Sequence, residues 1–335
     1  MQIVYISKRP DVLNDTLKQV EKFMPFVDSA VVLCPIACKG QISAPETIPV
    51  EILFEEDLLH GAIRNISVLD HQTRNYLLRT KLSETEYVHD EFIMSDDDNR
   101  PIADVTLQDY KIDGKYRNYY FYDLEKWKYR LTDFDHGQRV TGLLLRYLGL
   151  PHLSYASHMP QLINKEIFRE SAVFFEKYAG KYPLCEWSTY FNYGHGYHSS
   201  GFSEPEAFRT LCWPDFPGTW PYYVRPGHFL FENYHPEMYE SGALFEGLSA
   251  CPDKAEIDLV TLEKLIRLDQ VEAGRMKFSL HPCDPWRKKS FLHRLAIMAG
   301  QPFKKMLDTL TLEDKSARLS IERQLQSLQR NSDKR

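Results

Sequence analysis

Three consecutive carboxylates, Asp96, Asp97 and Asp98, follow the short apolar run Phe92-Ile93-Met94 and precede Asn99-Arg100-Pro101. Adjacent carboxylates repel one another, and each raises its neighbours' affinity for protons unless positive charge sits among them. A hard divalent cation with oxygen ligands is the usual remedy, and such a cation commonly takes substrate phosphates as its remaining ligands. Position adds to the case, because open α/β sheets bind their ligands beyond the carboxyl ends of their strands. The expected chemistry is capture of Mn²⁺ or Mg²⁺ and, through it, of a phosphate-bearing substrate. The competing reading is a solvated acidic turn, since Asp and Asn are favoured in turns and N-caps.

A second carboxylate stands far along the chain, in Cys185-Glu186-Trp187-Ser188-Thr189-Tyr190-Phe191-Asn192-Tyr193. On a helix Glu186 and Tyr190 share a face. Aromatic surroundings raise a carboxyl pKa and suit a general base, whereas a surface Glu on a structural helix is the plain alternative. Histidines are scattered. His195-Gly196-Tyr197-His198 reads either as a chelating pair or as a flexible loop. His158 lies in Ser157-His158-Met159-Pro160-Gln161, which interrupts two regular elements between Leu153 and Arg169.

The elements that must position these groups read as alternating strands and helices. Gln2 to Ser7, Ala30 to Cys34 and Val50 to Phe54 form apolar strands, and Leu13, Leu17, Val20 and Met24 recur at helical spacing, with Asp11 as the expected cap. Asn65 to about Lys81 reads as a helix leading into the aspartate strand, its charged face an ordinary solvated one. This βαβ rhythm predicts a mostly parallel sheet. No glycine-rich phosphate loop of the GxGxxG or GxxxxGK type occurs, so phosphate must be handled by a metal or by basic side chains such as Lys8 and Arg9 at the end of the first strand. Lys115 to Asp123, with several tyrosines, predicts strands beside the site, Gly114 a turn, and Gly137 to Leu148 a helix or a strand and helix junction.

At 335 residues and 43% hydrophobic content, the chain allows one large α/β domain with an appendage. The net charge of -6 is uneven: 287–335 hold 12 Lys+Arg against 5 Asp+Glu, a local +7 that leaves -13 elsewhere. An acidic body argues against nucleic acid as the main partner, while a basic tail suits an anionic membrane surface. Within that tail Phe291, Leu292, Leu295 and Met298, then Phe303, Met306, Leu307 and Leu310, alternate with Lys and Arg as in interfacial helices; packing on the body or on a second copy is the alternative. The six cysteines make no CxxC pair, which fits a reduced, cytoplasmic protein, and the N-terminus reads as a strand rather than a leader. The expected division is 1–250 for the α/β body and 251–335 for a helical basic region.

Ile93-Met94-Ser95-Asp96-Asp97-Asp98 resembles the DxD site of GT-A glycosyltransferases. Ser157-His158-Met159-Pro160-Gln161 together with Glu186 to Tyr193 resembles the second half of bacterial polysaccharide and O-antigen transferases, among them galactofuranosyltransferase-like and Stealth-like capsule enzymes. The likeness covers roughly Met1 to Gly247. It implies a GT-A-like, Rossmann-related mixed sheet flanked by helices with a helical C-terminal tail. The implied activity is a metal-dependent hexosyl transfer from a nucleotide-diphosphate donor, a UDP-sugar such as UDP-galactose or UDP-galactofuranose, to a hydroxyl of a glycan or lipid-linked glycan at the inner membrane face. Asp96 and Asp98 would take the two DxD positions, with Asp97 between them on the donor side. Glu186 would be the base in an inverting enzyme, and His158 would lie near the diphosphate or acceptor. The late histidine ligand of such sites is matched by His235 or by His281. A Stealth-like hexose-1-phosphate transferase is the alternative enzyme, and a non-catalytic glycan-binding or scaffold protein the alternative outside enzymes.

Overall fold

The computed structural model describes residues 1–59, 69–124, 133–211, 229–236 and 239–240. The apolar runs of the sequence become a five-stranded sheet. β1 (Gln2–Ile6), β2 (Ser29–Cys34), β3 (Val50–Phe54) and β4 (Glu91–Asp96) are mutually parallel in the order β4-β1-β2-β3. β1 is buried along its whole length and β2 nearly so, the pattern of strands covered on both faces. β4 continues two residues beyond the apolar run, through Ser95 to Asp96.

The helices differ from expectation in instructive ways. α1 (Pro10–Phe23) buries Val12, Leu13, Leu17 and Val20, yet Asp11 does not cap it: Pro10 occupies the first turn, and Asp11 lies inside the helix beside the positive end of its dipole. After the short α2 (Glu55–Leu58), α3 (His71–Ser83) begins later than the apolar pattern suggests, because Asp70 accepts a hydrogen bond from the Thr73 N–H and fixes the start there. Its polar face is not solvated. Gln72, Arg74, Asn75 and Arg79 are all buried, which overturns the reading of that face as ordinary exposure.

Beyond β5 (Asn99–Pro101) come four short strands, β6 (Lys111–Ile112), β7 (Lys115–Tyr116), β8 (Tyr119–Tyr120) and β9 (Tyr122–Asp123). Asp113 and Gly114, at φ 51° and 76°, make the two-residue hairpin turn between β6 and β7. α4 (Asp133–Tyr147) resolves the segment around Gly137 as helix. It is followed by β10 (Leu153–Ser154), β11 (Gln161–Asn164), α5 (Lys165–Ala179) and α6 (Glu186–Tyr197). β11 adds to the main sheet antiparallel to β4, making it mixed. The last described strands are β12 (Glu206–Ala207), β13 (Thr210–Leu211) and β14 (Phe231–Asn233), and β14 pairs with β5 directly below the aspartate turn.

One core spans the sheet, α1 and the aromatics of α6, and a second sits under α3, α4 and α5 around Leu144, Phe175 and Leu184. α6 lies close to Phe202: a Cβ on Gly194 would come within 2.6 Å of that ring. Gly194→Ala is therefore expected to destabilise by about 1–3 kcal/mol, the range for overpacking a filled site, readable as a lower urea midpoint. No helix among the described residues is long and apolar enough to cross a membrane. The basic region 251–335, with its segment 287–310 and His281, lies outside the described residues, as do 65–68 of the expected longer helix.

Candidate functional site

β4 delivers the aspartates to the carboxyl end of the parallel sheet, and its neighbours clamp the turn. Thr16 of α1 donates to the Asp97 carbonyl at 2.6 Å, and the Tyr234 N–H, just after β14, donates to the Asp98 carbonyl at 2.7 Å. The three side chains then part company. Asp97 is buried and accepts from Ser7 Oγ at 2.7 Å and from the Arg9 guanidinium, whereas Asp96 and Asp98 keep 33% and 16% of their side chains exposed. Burial pushes the Asp97 carboxyl up, with Arg9 and Ser7 pulling against it. Arg9 also meets Asp98 at 2.7 Å.

Glu186 reaches the same region from the opposite side. It opens α6, and it is almost wholly buried. Its partner is Arg79 of α3, whose Nε donates to Glu186 Oε1 at 3.0 Å while Nη2 donates to Asp96 and to the Ser95 carbonyl. The Arg79 guanidinium lies 4.8 Å from the Trp187 ring centroid. Burial raises the Glu186 carboxyl to about 7, with Arg79 opposing the shift and the Asp96 charge adding to it. One guanidinium thus joins the aspartate turn to the separate carboxylate.

The polar residues of α6 explain how the intervening loop is held. Ser188 Oγ accepts from the Tyr155 N–H at 3.1 Å, and Asn192 pairs with both backbone groups of Leu153 at 3.0 and 2.7 Å. Gln161, fully buried, binds the Tyr119 N–H and the carbonyls of Tyr119 and Tyr155. Gripped at both ends, the loop carries His158 in the left-handed region, φ 49°, a conformation uncommon outside glycine. The loop and the sheet edge enclose a cavity of about 530 Å³ whose lining includes Lys8, Arg9, Asp96, Asp98, His158 and Glu186.

Lys8, Arg9, Asp96, Asp97, Asp98, His158 and Glu186 line this cavity, and His281 lies outside the described residues, whereas His235 is not part of the lining. It follows Tyr234 beyond β14, and its ring meets Asn233 Oδ1 at 3.1 Å. His195 and His198 do not chelate together: His195 meets Asn118 at 3.0 Å and His198 meets Glu170 at 2.7 Å. Arg79, Arg74 and His71 were not foreseen. Gln72, Asn75 and Arg79 recur at helical spacing on one polar face, a signal that the even mixture of polar and apolar residues on α3 obscures.

No family model and no curated protein matches the chain. Among solved structures it is similar to the galactosyltransferase LgtC in complex with donor and acceptor sugar analogs, at 16% identity and a TM-score of 0.41, over 87% of this chain and 100% of that one. An active-site mutant of LgtC gives the same values. Mouse xyloside xylosyltransferase 1, in its apo form, follows at 10% identity and a TM-score of 0.38, over 71% of this chain and 99% of that one. These values are too low for the likeness to carry the chemistry, which rests on the site residues.

Among the described residues no group of three or more His, Cys, Asp or Glu side chains makes a ready metal cage. The donor set nevertheless fits a hard cation of another kind. Mg²⁺ is commonly held by one or two carboxylates, with water and substrate phosphate completing its shell. Asp96 and Asp98, the two more open members of the trio, are such a pair, and Arg9 and Arg79 now neutralise the oxygens that a cation would take.

Proposed function

We propose that this protein is a glycosyltransferase that moves a sugar from a nucleotide-diphosphate donor to an acceptor hydroxyl. The observation that carries the reading is the convergence, in one cavity, of an aspartate pair and a separate buried carboxylate poised near neutrality. Transfer from a nucleotide sugar needs charge stabilisation on the departing diphosphate and removal of a proton from the attacking hydroxyl. Asp96 and Asp98 would hold Mn²⁺ or Mg²⁺, which supplies charge stabilisation to the diphosphate when bound. Glu186, ionised, takes the acceptor proton. Arg79 orients Glu186 by its 3.0 Å contact and fixes its distance from the donor side. The loop bearing His158 lines the cavity together with Lys8 and Arg9.

The similarity of the aspartate segment to the DxD site of GT-A glycosyltransferases, and of the His158 and Glu186 segments to bacterial polysaccharide transferases, supports a UDP-sugar as donor and a surface glycan or lipid-linked glycan as acceptor. The basic stretch 287–310 supports contact with an anionic membrane face. Calorimetry with UDP, with and without Mn²⁺, tests the donor reading. UDP binding is expected to strengthen with Mn²⁺, and Asp98→Ala to remove that gain, about tenfold or more for loss of a charged ligand contact. Equal UDP affinity with and without Mn²⁺ in both proteins would leave the aspartates a structural turn. Phosphate retained in the product linkage would point to sugar-phosphate transfer instead.

A further inference from the structure

The cavity also carries positive charge that pairs with neither the aspartate turn nor the candidate base. Lys8 and Arg74 line it, together with His71, whose partial desolvation favours the neutral imidazole and whose Nε2 meets the Asn75 amide at 3.2 Å. Arg74 is 5% exposed, binds Glu55 and Asn75, and leaves its buried Nε without an acceptor among the described residues. Lys8, an exposed member of the cavity lining, makes no ion pair or hydrogen bond with any described residue, and it feels the charges of both Arg74 and Glu55. One carboxylate therefore faces two cations. The N-terminal end of α3 lies at the same wall through His71 and Gln72. A helix N-terminus favours negative charge, here in addition to its Asp70 cap, and two cations that share one carboxylate favour it further. Like charges gathered beside a buried donor that lacks an acceptor are costly in the free protein, and a bound anion relieves that cost.

We propose that Lys8, His71 and Arg74 form an oxyanion subsite at the start of α3, which takes a phosphate or carboxylate of the substrate separately from the aspartate turn. The proposal rests on the nucleotide-sugar reading and adds a second point of anion recognition to it. Two sources carry the same chemistry: the donor's own phosphates, or a carboxylate on an acidic sugar.

The test is metal-free binding. In EDTA, where no cation bridges to the aspartates, uridine, UDP, UDP-glucose and UDP-glucuronate are titrated into the full-length protein and into Lys8→Met and Lys8→Arg variants. The expected result is an affinity gain, either of UDP over uridine or of UDP-glucuronate over UDP-glucose. Lys8→Met should cut that gain about tenfold, the scale of one charge-assisted contact, and Lys8→Arg should restore it. A gain for UDP assigns the subsite to the donor phosphates, and a gain only for UDP-glucuronate assigns it to a sugar carboxylate. His71→Gln is expected to lower the same gain, independently of the buried Arg74. The proposal is overturned if neither anion gains affinity in EDTA, or if Lys8→Met leaves the gain intact. Those outcomes leave the donor reading standing, since it is tested separately by Mn²⁺-dependent UDP binding and Asp98→Ala.

Discussion

Glu186→Gln is expected to reduce sugar transfer by about 10²–10⁴-fold, the contribution of a positioned general base, while Mn²⁺-dependent UDP binding changes little. The substitution keeps the shape and a hydrogen-bond acceptor for Arg79 Nε but removes the group that takes the acceptor proton. The pH dependence gives the same residue a second signature. Glu186 sits near 7 because burial disfavours its charged form. Transfer by the wild-type protein should therefore rise with pH through about 7 and then level off, as the base becomes fully ionised. In the Gln variant that rise should be missing from the residual rate. A variant that turns over at the wild-type rate would remove Glu186 from the reaction, and the buried pair with Arg79 would then be purely structural.

Arg79→Met is expected to destabilise the fold by about 3–5 kcal/mol, the scale for removing one partner of a buried ion pair. Arg79 and Glu186 are 3% and 4% exposed at the side chain, so water cannot replace the lost guanidinium at Glu186. Asp96, a third exposed, can be rehydrated and adds less. The dependence on pH has a definite sign. Without Arg79 the folded-state pKa of Glu186 is raised further above its unfolded value. The loss is then nearly constant up to about 7, where Glu186 is still protonated in both folded proteins, and grows as pH rises above that, where only the wild type holds the ionised carboxylate readily. Urea unfolding at pH 5 and pH 8 reads this directly, and Glu186→Gln in the same background should recover part of the loss at pH 8. An Arg79→Met protein as stable as wild type at both pH values would show that the pair does not persist in solution.

The strand character of Gln2 to Ile6, Ser29 to Cys34 and Phe92 to Met94 was legible because a buried parallel strand is written as a nearly continuous apolar run, and the half-exposed edge strand Val50 to Phe54 keeps enough of that pattern despite Glu51. The placement of Asp96 to Asp98 at the carboxyl edge of the sheet followed from that run, and the helix bearing Glu186 and Tyr190 followed from local spacing. Where a cap or a turn depends on neighbouring residues, as at Asp113-Gly114, the chain also reads directly. Asp11 misled because Pro10 had already taken the first helical turn, a contest between two adjacent signals.

The aspartates' different fates could not be read from three identical letters. Asp97 turns inward because Ser7, Arg9 and Thr16 meet it there, and all three lie more than 80 residues away in the chain. Arg79 is the clearest case: on its own helix it is one more cation on a polar face, and its meaning comes from Glu186, 107 residues further on. Local sequence determined which segments are strands and helices, since backbone preference and apolar periodicity act over a few residues. Tertiary structure alone decided which charges share a cavity, because burial and Coulomb interaction depend on distances in space that one-dimensional order does not contain.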